Sequence, residues 1–202
     1  MATGVGDYLC DEHHGGAVIA ALTFLLVHLA WTAQAQDRPS FPAPDRPVAR
    51  IVSPEYSDEQ TRDGHGEAER VMDLLGIKPP QRVADIGAGL GYYTVRLARR
   101  LGSDATIYAT DVKTEYLDQL RARLAGEGIA GVTVILGLPR DPRLPPGSVD
   151  VAILSHMYHE IENPYEFLYR LQPSLAPADG YLAVFARPDD LPPAGAIRPC
   201  RQ

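Results

Sequence analysis

Short apolar runs alternating with segments of helical periodicity predict an α/β fold, a doubly wound and mostly parallel sheet of about five strands. Three observations carry this expectation. The alternation itself requires right-handed crossovers, which place helices on both faces of a parallel sheet. A glycine cluster, Gly87, Gly89 and Gly91, follows the first apolar run at the point where helical spacing begins. An acid, Asp111, closes the second run.

The elements follow in order. Residues 66–75 place Ala68, Val71, Leu74 and Leu75 at spacings of three and four, a helix with one apolar stripe. Gly76 and the pair Pro79 and Pro80 end it. Residues 82–86, RVADI, form a strand entering the glycine cluster, and from Tyr92 the helical spacing resumes through Val95, Leu97, Ala98 and Leu101. Residues 106–110 are a second strand, and residues 115–125 follow with Tyr116, Leu117, Leu120 and Leu124 on one helical face. Residues 132–136 and 149–155 are the third and fourth strands, 165–171 a helix with Phe167, Leu168 and Leu171 inward, and 181–186 the fifth strand. No internal repeat interrupts the series.

The 202 residues are 45% hydrophobic and 22% charged, enough for one domain with a sizeable core. A formal charge of −7 and the lack of a basic stripe exclude a phosphate-tracking, nucleic-acid-binding role. Cys10 and Cys200 supply neither a disulfide framework nor a CxxC metal site. Residues 17–33, AVIAALTFLLVHLAWTA, are followed by Ala33-Gln34-Ala35, an apolar core with an A-x-A cleavage pattern. The run is short of the about 20 apolar residues of a spanning helix. Residues 1–35 are therefore expected to be a signal peptide or hydrophobic leader, and the product exported to a periplasm or secreted. A retained leader would make the protein membrane-anchored, and an untranslated one cytoplasmic; the acidic stretch ahead of it is unlike a basic export signal. Residues 36–54 hold five of the 18 prolines and read as an extended linker. Residues 55–187 are expected to form the folded domain, and 188–202 an irregular tail.

The chemistry centres on Asp85-Ile86-Gly87-Ala88-Gly89-Leu90-Gly91, a D-x-G-x-G-x-G run between strand and helix. A Cβ at the glycines would obstruct the turn, the approach of a ligand to the backbone, or the packing of helix on sheet. A dinucleotide fingerprint needs its third glycine where Tyr92 stands, and here it is Gly91. Asp85 is placed to accept hydrogen bonds at the cationic end of a ligand or to brace the loop, whereas a pyrophosphate would be repelled by it. Asp111, 26 residues on, can accept hydrogen bonds from both hydroxyls of a ribose.

With these residues, the chain over about 64–186 resembles the class I S-adenosylmethionine (SAM) dependent methyltransferases. The resemblance implies SAM as cofactor, held at its amino-acid end by Asp85, Gly87, Ala88, Gly89 and Gly91. It places the ribose at Asp111 beside Val112, an adenine cap at Asp141, and Ser155 at the cofactor's edge. Ligands of open α/β sheets lie beyond the carboxyl ends of the strands, so the acceptor is expected beside the residues after the fourth strand. There His156, Tyr158 and His159 are the catalytic candidates, with Glu160 beside them, as base, aromatic wall or orienting group. No third ligand accompanies His156 and His159, so no metal is expected. His65 stands where family members often carry a lid segment. The implied activity is methyl transfer to a small-molecule acceptor; the alternatives are a SAM-binding domain without turnover and, against the position of Gly91, a nicotinamide oxidoreductase. The family's sheet usually continues with an antiparallel strand pair, but here RPDDLPPAGAIRPCRQ carries no strand signal. That pair is expected to be missing, which exposes the edge of the fifth strand to a homodimer contact.

Overall fold

The computed structural model describes residues 39–50 and 58–185. The expected leader and the tail 188–202 lie outside the described residues. All elements fall within the compact unit that begins at Phe41. Helices α1 (Glu59–Gly64) and α2 (Glu67–Leu74) lead into β1 (Arg82–Ile86), α3 (Tyr92–Leu101), β2 (Thr106–Asp111), α4 (Thr114–Gly126) and β3 (Val132–Leu136). Then come β4 (Val151–Ser155), a 3-10 turn at Tyr158–Glu160, α5 (Pro164–Leu171), a second 3-10 turn at Gln172–Ser174, and β5 (Tyr181–Phe185). The five strands form one parallel sheet in the order β3-β2-β1-β4-β5. This is the α/β architecture expected, and the order changes direction between β1 and β4, the switch point at which such sheets bind ligands.

The two faces of the sheet are covered by different helices. Val83, Ile107, Val151 and Ile153 pack under α2 and α3, and Ala109 under α4. Ala84, Ile86, Ala152 and Leu154 point the other way, against Phe167 and Leu171 of α5. Side chains alternate across a strand, so β1 and β4 must be apolar at successive positions to be buried on both faces. The buried exception is Asp85, the penultimate residue of β1 before the glycines.

The helix expected over 66–75 is α2, with Gly66 at φ +61 as its N-cap. The preceding α1, EQTRDG, has no buried residue and hence no apolar period to read; Asp58 caps it by accepting from the Gln60 N–H at 3.0 Å. The fourth strand begins at Val151 rather than at 149, because Val149 pairs with Leu175 in an isolated bridge. Among the described residues no helix is long and apolar enough to cross a membrane. On β5, Val184 is 47% exposed.

Candidate active site

The backbone between β1 and α3 makes the floor of a cleft of about 870 Å³. Gly87, Gly89 and Gly91 all have positive φ, at +75°, +54° and +90°. A Cβ at Gly87 would come 2.8 Å from Met157 Cγ, and one at Gly91 would overlap Leu120 Cδ1 of α4. Gly87 therefore keeps the loop open beside the β4 turn, while Gly91 lets α3 and α4 close together. The loop is tied to β2, since the N–H groups of Gly87 and Ala88 both donate to the Thr110 carbonyl, at 2.8 and 3.0 Å.

Asp85 is 3% exposed and lines the cleft. Its carboxylate accepts from the Thr94 hydroxyl on α3 at 2.6 Å. Burial pushes its pKa up to about 6, against the hydrogen bonds from Thr94 that favour the charged form. Asp111 accepts from the Gly89 N–H and the Lys113 N–H, each at 2.9 Å, one on each oxygen. A carboxylate oxygen takes about two hydrogen bonds, so both oxygens retain acceptor capacity for a pair of hydroxyls. Ala88, Gly89 and Val112 line the same end of the cleft.

The opposite wall is the turn after β4. Ser155, His156 and His159 line it, together with Met157 and Glu160. His156 has φ +60, a left-handed conformation that is strained for a side chain with a Cβ. Its N–H donates to the Phe185 carbonyl of β5 at 2.9 Å, and its ring meets Phe185 edge-on with centroids 6.2 Å apart. Tyr158 is outside the lining; its ring packs on the α5 side of the core. Gly91 likewise shapes the loop from behind. Asp141 is not brought to the cleft: its carboxylate accepts from the Arg143 N–H at 2.8 Å and lies 3.9 Å from Arg170. Gly137, Leu138, Pro139 and Pro142 line that end instead. His65 caps α1 and is not a lining residue.

Sequence reasoning passed over the third wall. Glu67, 2% exposed at the start of α2, accepts from Arg62 at 3.1 and 2.5 Å and from the Tyr93 hydroxyl at 2.8 Å, and its Oε1 is 3.3 Å from His156 Nε2. Burial opposes its ionisation, but the hydrogen bonds from His156 and Arg62 and the Arg62 charge hold its pKa down to about 2. Arg62 lies 3.6 Å over the Tyr92 ring, and Arg96 lies 3.8 Å from the same ring. Glu67 is one helical turn from Val71, and an acid on an apolar stripe is the signal that could have found it.

The residues fit a SAM-like ligand on three counts. The glycine cradle leaves space that a Cβ would fill. Asp85 is a buried acid at its base, suited to an ammonium group. The Ser155 hydroxyl, at the edge of the cleft, is buried with no hydrogen-bond partner among the described residues.

A doubly wound sheet with this cradle, an acid closing β2 and a histidine turn beyond β4 defines a SAM-binding, Rossmann-like methyltransferase core. Comparisons with known proteins agree, and the chain carries a class I SAM-dependent methyltransferase domain: residues 83–178 match the methyltransferase-domain family. A SAM-dependent methyltransferase from Aquifex aeolicus has the same fold at a TM-score of 0.60 and 28% identity, over 64% of this chain and 69% of that one. Trans-aconitate 2-methyltransferase of Rhodopseudomonas palustris is 31% identical over 136 residues, 67% of this chain and 48% of the relative. Nocamycin O-methyltransferase of Saccharothrix syringae is 33% identical over 88 residues, 44% of this chain and 31% of the relative. The chain thus spans less than half the length of these two curated relatives.

Proposed function

We propose that the protein transfers the methyl group of SAM to a small-molecule acceptor bound beside the turn 155–160. The observation that carries this reading is a single cleft in which the glycine cradle and Asp111 face His156 and His159. SAM supplies an electrophilic methyl on a sulfonium, and the chain's own work is to bind, align and exclude water. Asp85 and the backbone from Gly87 to Gly89 hold the amino-acid end, and Asp111 the ribose. Val112, Leu138 and Pro139 form an apolar slot at the far end, the part taken in sequence to be capped by Asp141.

Across the cleft, Glu67 fixes the His156 ring, so that imidazole is an oriented wall or base, while His159 presents the second imidazole. Either removes a proton where the acceptor is an alcohol or phenol. Trans-aconitate 2-methyltransferase and nocamycin O-methyltransferase are named for small-molecule acceptors, which supports an acceptor of that kind.

The test is transfer itself. The full chain is incubated with methyl-labelled SAM and a panel of small alcohols, phenols, carboxylic acids and amines, and S-adenosylhomocysteine (SAH) is quantified. Acceptor-dependent SAH formation is expected, at least about tenfold lower in His159→Ala with SAH affinity retained. A folded protein that binds SAH yet yields none with any acceptor class would overturn transfer in favour of SAM binding alone.

A further inference from the structure

The proline-rich segment ahead of the domain reads in sequence as a linker, yet part of it is fastened to the acceptor wall. Arg46 donates from Nη1 to the His159 carbonyl at 2.9 Å and from Nη2 to the carbonyls of Tyr158 and Ile161 at 2.8 and 3.1 Å. Its guanidinium carbon lies 5.0 Å from the centre of the Tyr158 ring. The Ala49 N–H gives the His159 carbonyl a second bond at 2.9 Å. Further back, the Phe41 ring packs against Tyr169 of α5 with centroids 5.3 Å apart.

These contacts meet a specific need. A three-residue 3-10 turn leaves carbonyls at its C-terminal end with few internal partners. One planar guanidinium, with five donors, reaches three of them at once, which an ammonium on a flexible stem does not reproduce. The carbonyls are drawn to the Arg46 side while the His159 side chain lines the cleft. Both Arg46 and Ala49 precede the matched family region 83–178, so the restraint comes from outside the methyltransferase core.

We propose that Arg46 is a positioning residue of the acceptor site: it sets the turn carrying His159, and residues 41–50 are a working part of that site rather than a spacer. This rests on the reading of the turn as the acceptor wall. Removing Arg46 releases the turn and leaves the cofactor cradle intact, because Asp85, Asp111 and the glycines make no bond to it.

The experiment compares the full-length wild type with Arg46→Ala and Arg46→Lys. Three quantities are read: backbone hydrogen exchange, the His159 imidazole resonances, and calorimetric affinity for SAH. In both variants the amides of 158–161 are expected to exchange about tenfold faster or more, with protection of the β1 and β4 amides unchanged. The His159 resonances shift and broaden, SAH affinity stays within about twofold, and millimolar guanidinium ion restores the wild-type signals in Arg46→Ala but not in Arg46→Lys. A merely structural arginine would not show rescue confined to the turn.

Wild-type protection and an unmoved His159 signal in the folded variants overturn the proposal, as does a rise in exchange spread across the whole sheet. Arg46→Lys carries the same test if Arg46→Ala does not fold. Failure of the wild type to bind SAH would count against the methyltransferase reading separately, since exchange and imidazole signals are read without ligand.

Discussion

Asp85 and Glu67 are both buried carboxylates on one cleft, and their surroundings push them in opposite directions, up to about 6 and down to about 2. Glu67 receives bonds from a guanidinium, a phenol and an imidazole, whereas Asp85 has a single hydroxyl partner among the side chains. Between its ordinary 3.8 and about 6, the folded chain binds the Asp85 proton more tightly than the unfolded chain, so Asp85 lowers the stability of the ligand-free protein as pH rises through that window. Glu67 acts in the other sense: its contribution is complete above its ordinary 4.5 and is lost as pH falls toward about 2. A ligand ammonium group beside Asp85 favours the carboxylate, so SAM affinity is expected to rise about tenfold between pH 5 and pH 7. Titrations across that range check it, and a flat profile would remove Asp85 from contact with the charge. Glu67→Ala leaves Arg62 half-buried without its partner and is expected to destabilise by about 3 kcal/mol in urea unfolding, with Glu67→Gln milder. At this scale the glycines, Asp85 and Asp111 were legible because a tight turn and a bare backbone restrict residue types severely. Glu67 and Arg62 were not, because their partners come from three separate elements.

At the scale of elements, the strands and the helices α2 to α5 could be read because each buries an apolar stripe with a regular period. The α1 helix could not, since its order comes from the Asp58 cap and from ion pairs of Glu59 with Arg96 and Arg123 rather than from burial. The adenine-side assignment to Asp141 followed a pattern of position after a strand; the local turn instead directs that carboxylate to the Arg143 N–H. The loop between β1 and α3 gives the sharpest element-level prediction. Gly91→Ala forces a Cβ onto Leu120 at a left-handed φ, so it is expected to cost about 1–2 kcal/mol from the backbone alone, with further loss from the displaced α4. A lowered thermal midpoint together with weakened SAH binding checks this; an unchanged midpoint would show that α3 and α4 are not in close register.

Across the whole molecule, the fold was the most legible feature, since strand and helix periods, chain order and crossover handedness all point one way. The site extends beyond the family match: its walls include Arg62 and Glu67, before residue 83, and Arg46 braces one of them. The glycine cradle, Asp111 and the turn 155–160 lie within the matched region, whereas Arg62, Glu67 and Arg46 precede it. The most direct test is calorimetric titration of the full chain with SAM, SAH and NAD in parallel, alongside Asp85→Ala. Micromolar binding of SAM and SAH, none of NAD, and loss of binding in Asp85→Ala are predicted. Binding of NAD, normal SAM affinity in the Asp85→Ala protein, or no SAM binding by a folded wild type would contradict the assignment of the glycine cleft to SAM.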